Sequence, residues 1–194
     1  VLHFGNNLVL MNKKFEQLAV LREYFEEFDP YNPKYYETVT KYASGDGKIY
    51  VAENDDNSYK INIFDMDGNK IEQITHDYTK IEYNQYETEK IKTLNLLANG
   101  NRLIEQKSFK KSINDLFYDK YGRLLVCSSI ERTDENQRDF IIDIYKDGVY
   151  INTTKVDNLI GEDFVQRFDS RIYFFGDKIY EIVNGEAKVN IYAY

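Results

Sequence analysis

Short runs of apolar residues alternate with polar ones along this chain, and turn residues recur at like places between them. Ile61-Asn62-Ile63-Phe64 and Ile142-Asp143-Ile144-Tyr145 alternate with a period of two, which puts one face inward and the other outward. Other runs are apolar throughout: Ile49–Ala52, Leu124–Cys127 and Ile172–Phe175. Runs of that kind predict strands covered on both faces. Asp67-Gly68, Asp147-Gly148 and Asn184-Gly185 supply the positive φ that a type I′ hairpin turn needs.

These pieces make a repeat. Gly47-Lys48-Ile49-Tyr50-Val51 leads to Ile61–Ile71. Gly122-Arg123-Leu124-Leu125-Val126 leads to Ile142–Tyr150. Ser170-Arg171-Ile172-Tyr173-Phe174 leads to Ile179–Glu186. A further strand is predicted before each buried run, at Val39–Tyr42, Leu116–Tyr118 and Val165–Phe168. Each copy then reads as four antiparallel strands, the unit of a β-propeller blade. The fold class expected is all-β, a propeller-type repeat that is partial, with one inserted helix or long loop; a compact four-unit ring is the competing form.

On this reading a single domain over 1–194 divides into a half blade with a connector (1–30), a blade (38–74), an insertion (75–112) and two more blades (113–156 and 163–192). The N-terminal part is placed in mid-unit because Phe4-Gly5-Asn6 resembles Phe175-Gly176-Asp177, and Phe15–Leu18 resembles Ile71–Ile74. Within the insertion, 83–97 is rich in Glu, Lys and Leu and predicts a short helix with Asn84 as its best cap. A hairpin over 94–104 is the rival reading.

At Asp46–Ala52, Ile63–Gly68 and Ile113–Val126 the chain resembles bacterial six-bladed β-propellers of the NHL-like and TolB-like kind. It departs from them at Leu125, where family members often carry Trp. The resemblance covers roughly residues 38–192. It implies a fold, and a role only as broad as sensor ectodomain, binding scaffold or ring hydrolase. Six such blades need more than 194 residues, so the resemblance also implies a fragment.

Composition narrows the chemistry. The net charge is −8, which sets a nucleic-acid role aside because phosphate backbones would be repelled. No apolar run approaches the ~20 residues that span a bilayer. The single cysteine, Cys127, closes an apolar strand and reads as a packed thiol. The compartment stays open, with an extracytoplasmic location (periplasmic or cell-surface) placed ahead.

Candidate metal ligands are the oxygen-rich Glu53, Asn54, Asp55 and Asp56, with Asp115 added for a ring-hydrolase site; calcium is the cation such oxygens would suit. A solvated acidic loop is the plainer reading of the cluster. Asp65–Asn69 is not an EF-hand, because Ile63 and Ile74 stand where ligands are required. The histidines are His3 and His76, and no nucleophile elbow accompanies them. Lys107, Lys110 and Lys111 with Phe109 read as a basic loop face. Tyr24, Phe28, Tyr31, Tyr35 and Tyr36 form the best candidate partner surface, with packing of a connector as the plainer account. The function expected is a non-enzymatic binding or scaffold module for an unidentified protein or small ligand. The alternatives are a metal-dependent lactonase-like or esterase-like hydrolase and a sensor ectodomain. An open ring exposes strand edges, so self-association is also expected.

Overall fold

The computed structural model describes residues 3–27, 40–53, 56–89, 92, 108–133, 140–156, 170–183 and 188–193. These form an all-β protein of four consecutive antiparallel sheets. Strands β1 (His3–Met11) and β2 (Gln17–Glu27) make a hairpin. Strands β3 (Tyr42–Gly45), β4 (Lys48–Ala52), β5 (Tyr59–Asp65) and β6 (Lys70–His76) make a four-stranded meander. A second meander holds β7 (Ile113–Tyr118), β8 (Arg123–Ser128), β9 (Phe140–Lys146) and β10 (Val149–Val156). The last sheet holds β11 (Ser170–Phe175), β12 (Lys178–Val183) and β13 (Lys188–Ala193).

The runs that are apolar throughout do divide their side chains between two interfaces. Along β4, Ile49 and Val51 join Phe64, Leu21, Leu8, Leu10 and Ala19 in the contact with the hairpin. Tyr50 and Ala52 point the other way, to Tyr59, Ile61, Ile63, Leu116, Leu124 and Val126. In β8, Leu124 and Val126 face back toward that layer, while Leu125 and Cys127 meet Ile142, Ile172 and Ile179 of the next one. The sheets therefore stack in series, with the two meanders covered on both faces. Each fully buried Ile or Leu contributes about 1.5–3 kcal/mol to this stack. The third apolar run differs from expectation. Ile172 is buried, but Tyr173 and Phe175 are exposed, because no described sheet lies beyond β11–β13.

Local turn chemistry sets the registers. Asp46-Gly47 (φ 49° and 72°) and Asp147-Gly148 (φ 52° and 78°) are two-residue type I′ turns, closing Gly45↔Lys48 and Lys146↔Val149. The first of these moves the strand expected at 39–42, which begins at Tyr42 and must end at Gly45. Asp67-Gly68 makes a different turn. Gly68 N bonds Asp65 O at 3.1 Å, Asp65 N bonds Asn69 O at 3.0 Å, and only Gly68 has positive φ. This is a type I turn with a following left-handed residue. Asp119–Arg123 repeats it with Gly122, and Asn12–Glu16 repeats it with Phe15 (φ 62°) in the glycine place. In all three, the first residue's side-chain oxygen accepts from the backbone N–H groups two and four residues on. Gly5 lies inside β1 opposite Phe25 rather than in a turn, so its likeness to Gly176 is one of sequence alone.

Gly45 has another reason to be glycine. A Cβ there would lie 1.9 Å from the Tyr118 ring, which stacks on Tyr50 with centroids 5.5 Å apart. The insertion holds a helical turn at 85–89, and Asn84, the cap candidate, stands at its start. Asn84 Oδ1 accepts from Glu87 N at 2.8 Å, and Glu87 Oε2 accepts from Asn84 N at 3.0 Å. The rival hairpin at 94–104 and the strand expected at 165–168 lie outside the described residues, as does the Asn184-Gly185 turn.

Candidate functional site

The seam between the two meanders gathers polar and aromatic groups that no single strand suggests. Alternation along β9 turns Asp143 to the same side as Tyr145, into the layer shared with β3–β6. Asp143 is 8% exposed, so its carboxylate must find donors inside the protein. Tyr59 on β5 donates to Oδ2 across the seam at 3.1 Å. Ser128 on β8 donates to the same oxygen, and Thr153 on β10 donates to Oδ1 at 2.6 Å. Three strands of one sheet and one strand of its neighbour thus meet on one carboxylate.

Aromatic rings roof this cluster. His76 lies between Tyr59 and Tyr150, with centroids 5.6 and 5.2 Å away. Tyr145 packs against Tyr59 and Tyr150 at 6.4 and 5.7 Å. His76 and Tyr150 are exposed, whereas Tyr59 and Tyr145 are buried beneath them. The Tyr145 hydroxyl is buried without a hydrogen bond of good geometry among the described residues. Tyr59 still bears on its ionisation, so the two hydroxyls are near neighbours.

Burial holds these phenols in the neutral form. It raises the pKa of Tyr59, helped by the nearby Asp143 charge, and pushes Tyr145 up to about 12. Burial likewise raises Tyr50 and Tyr118, the latter also by its hydrogen bond to Asp46, and pushes Tyr192 up to about 12. A raised folded-state pKa means that the folded protein keeps a proton which the unfolded chain loses near pH ~10. The stability is complete below that pH and falls as the pH rises through about 12. Alkaline titration should show the tyrosinate absorbance of the buried rings appearing cooperatively with loss of the β-sheet circular dichroism. Full tyrosine ionisation near pH ~10 with the fold intact would contradict this burial.

The other ends of the seam are pinned too. Tyr118 donates to Asp46 at 2.6 Å, Lys41 pairs with Asp115 at 2.9 Å, and Ser112 donates to the Ser58 carbonyl at 2.7 Å. Asp115 is therefore committed to a lysine just before β3 of the neighbouring sheet. Glu53 receives Asn62 Nδ2 at 3.3 Å and lies 4.0 Å from Lys60 Nζ, while Asp56 receives Asn57 Nδ2 at 2.7 Å. Asn54 and Asp55 lie outside the described residues. No group of three His, Cys, Asp or Glu among the described residues is placed to hold a metal ion. Cys127 is buried in the layer facing β11–β13. Tyr24 lies on β2, and Phe28, Tyr31, Tyr35 and Tyr36 fall outside the described residues.

The basic cluster is not a loop face at Lys110. That side chain is buried, its ammonium 2.5 Å from Glu87 Oε1 and 2.9 Å from the Ile130 carbonyl. Arg132 Nε approaches the same Glu87 oxygen at 3.2 Å. Sequence reasoning missed both this cluster and Asp143. The alternation at 142–145 puts Asp143 on the outward face. Yet β9 is covered on both faces, so Asp143 and Tyr145 enter the layer shared with β3–β6 while Ile142 and Ile144 face the next sheet. No helix among the described residues is long and apolar enough to cross a membrane. Compared with protein-family models, with curated proteins and with solved structures, the chain matches none.

Proposed function

We propose that this chain is a binding or scaffold module of propeller type, and that the His76–Tyr150 rim of the central seam is where it meets a ligand. The observation that carries this reading is the exposed His76–Tyr150 pair, packed at tilted angles on buried Tyr59 and Tyr145, beside Asp143. Aromatic groups with polar tips suit recognition, because they offer contact area and a hydrogen-bonding end together. The serial stacking of antiparallel meanders supports the propeller form, in which blades pack face to face and leave turns and outer strands for recognition. A fold of this kind does not set the ligand.

The absence of tryptophan makes tyrosine fluorescence a clean reporter. A panel of peptides and small metabolites should contain a ligand that changes this emission saturably. His76→Ala with Tyr150→Ala should abolish the change while the melting temperature stays within a few degrees. Hydrolysis of an aryl ester or lactone that needs calcium, and is lost in Glu53→Gln or Asp115→Asn, would overturn the reading in favour of a ring hydrolase.

A further inference from the structure

Granted that the rim of the central seam is where the chain meets its ligand, we infer that this ligand carries an N-methylated ammonium group. The rim joins an aromatic surface to a buried negative charge. Tyr59, His76, Tyr150 and Tyr145 form a closed circuit in which each ring packs on two others, with centroids 5.2 to 6.4 Å apart. His76 and Tyr150 carry that circuit to the surface. Asp143 is buried beside it, and a buried carboxylate ordinarily has a cation for partner. This one has three hydroxyls instead, from Tyr59, Ser128 and Thr153. No cation of the described residues pairs with it, Lys155 included, which lies two residues past Thr153 on β10.

The charge is linked to the surface. Thr153 gives its proton to Asp143 Oδ1 at 2.6 Å, so in the 2.8 Å bond between Tyr150 and Thr153 the donor is Tyr150. Both residues are exposed. A phenol that donates into a chain ending on a carboxylate has an electron-rich ring, because hydrogen bonds in series polarise one another. The face of such a ring attracts a cation. A second acid stands on the same wall. Glu72 shares a face of β6 with Ile74 and His76, and a Cβ on Gly148, two residues before Tyr150, would lie 3.0 Å from its carboxylate. An anionic ligand would be repelled by both acids.

The rim also discriminates among cations. A metal ion needs oxygens that are free to coordinate it, and those of Asp143 are taken by hydroxyl donors. A primary ammonium brings three N–H donors, for which an aromatic rim has few acceptors. A methylated ammonium spreads its charge over methyl groups that need no acceptor and pack on ring faces.

Choline and its uncharged isostere, in which a tert-butyl group replaces the trimethylammonium, differ in charge at the same shape. Calorimetric titration of the full chain compares the two. Choline should bind saturably and about tenfold more tightly than the isostere, a factor within the range of one desolvated cation–π contact. Tyr150→Leu should abolish choline binding, and Tyr150→Phe, which keeps the ring, should retain most of it. Asp143→Asn should weaken choline several-fold and leave the isostere unchanged, a difference that a general loss of structure would not produce. Circular dichroism checks the fold of each variant. Equal binding of the two probes overturns the inference, as does a lack of saturable choline binding. So does choline binding that is indifferent to Tyr150→Leu or to Asp143→Asn. An anionic or uncharged ligand that binds instead, and is lost in His76→Ala with Tyr150→Ala, sinks the inference and leaves the rim as a binding place. If no ligand of any charge is lost in that pair of substitutions, the rim fails as a binding place too.

Discussion

Glu87→Ala is expected to lower the unfolding free energy by about 3–5 kcal/mol, the cost of leaving buried charge without its partner. Glu87 is 1% exposed and takes Lys110 and Arg132 on one oxygen, at 2.5 and 3.2 Å, while its other oxygen caps the helical turn at Asn84. Removing it takes the shared carboxylate from Lys110 and Arg132, which are themselves nearly buried. The Ile130 carbonyl remains as an acceptor for Lys110 but carries no full charge. For a domain of this size the loss corresponds to a fall in melting temperature of roughly 10 °C. Glu87→Gln should fall between alanine and wild type, since it keeps the cap acceptor and loses the charge. Adding Lys110→Met to Glu87→Ala should recover part of the loss, as coupling between contacting residues requires. Urea denaturation measures all three. A loss below about 1 kcal/mol for Glu87→Ala would show that water reaches both cations, and that the pair behaves like a surface one.

Asp143→Ala is the second large effect, about 3 kcal/mol. Hydrogen bonds to a charged group contribute about 1.5–3 kcal/mol each, and a buried donor left without an acceptor costs about 1–3 kcal/mol. Three hydroxyls lose their acceptor here, and of these Tyr59 is the most deeply buried. Ser128 and Thr153 can turn toward other acceptors, which keeps the total below the sum of three bonds. Asp143→Asn retains one oxygen acceptor and should cost about half as much. Thermal melts in circular dichroism give the ranking of alanine below asparagine below wild type. Because Tyr59 belongs to the neighbouring sheet, Tyr59→Phe should lose only its own bond, about 1.5–3 kcal/mol. Equal stability of Asp143→Ala and wild type would remove the carboxylate as the link between the sheets.

Much of the strand pattern can be read without coordinates, for a physical reason. Side chains alternate across a strand, so the period at Ile61–Ile63 reports the face those residues bury, and Asp147-Gly148 reports a two-residue turn. The cap at Asn84 is legible in the sequence, while its reciprocal bond with Glu87 appears only in the structure. What went astray locally came from turns of unlike length. Asp67-Gly68 looks like Asp147-Gly148 in sequence, but the Asp65 side chain holds a longer turn by binding the N–H groups of Asp67 and Asn69. Those bonds also hold the Asp65 carboxyl below its ordinary range, the Asn69 side chain being the largest cause.

The sequence by itself determined the all-β class, the four-stranded antiparallel repeat and the burial of Ile49–Ala52 and Leu124–Cys127 on both faces. Each of these follows from contacts within a few residues or from strand alternation. Only the tertiary structure decided that Lys110 leaves its basic neighbours to enter the protein, that Asp143 collects hydroxyls from β5, β8 and β10, and that Asp115 is held by Lys41. These partners lie 10 to 84 residues apart along the chain, and Asp143 reaches Tyr59 only because two sheets stack. A charge looks like a solvated surface group in any local window. Its burial and its partner are properties of the layers that close over it.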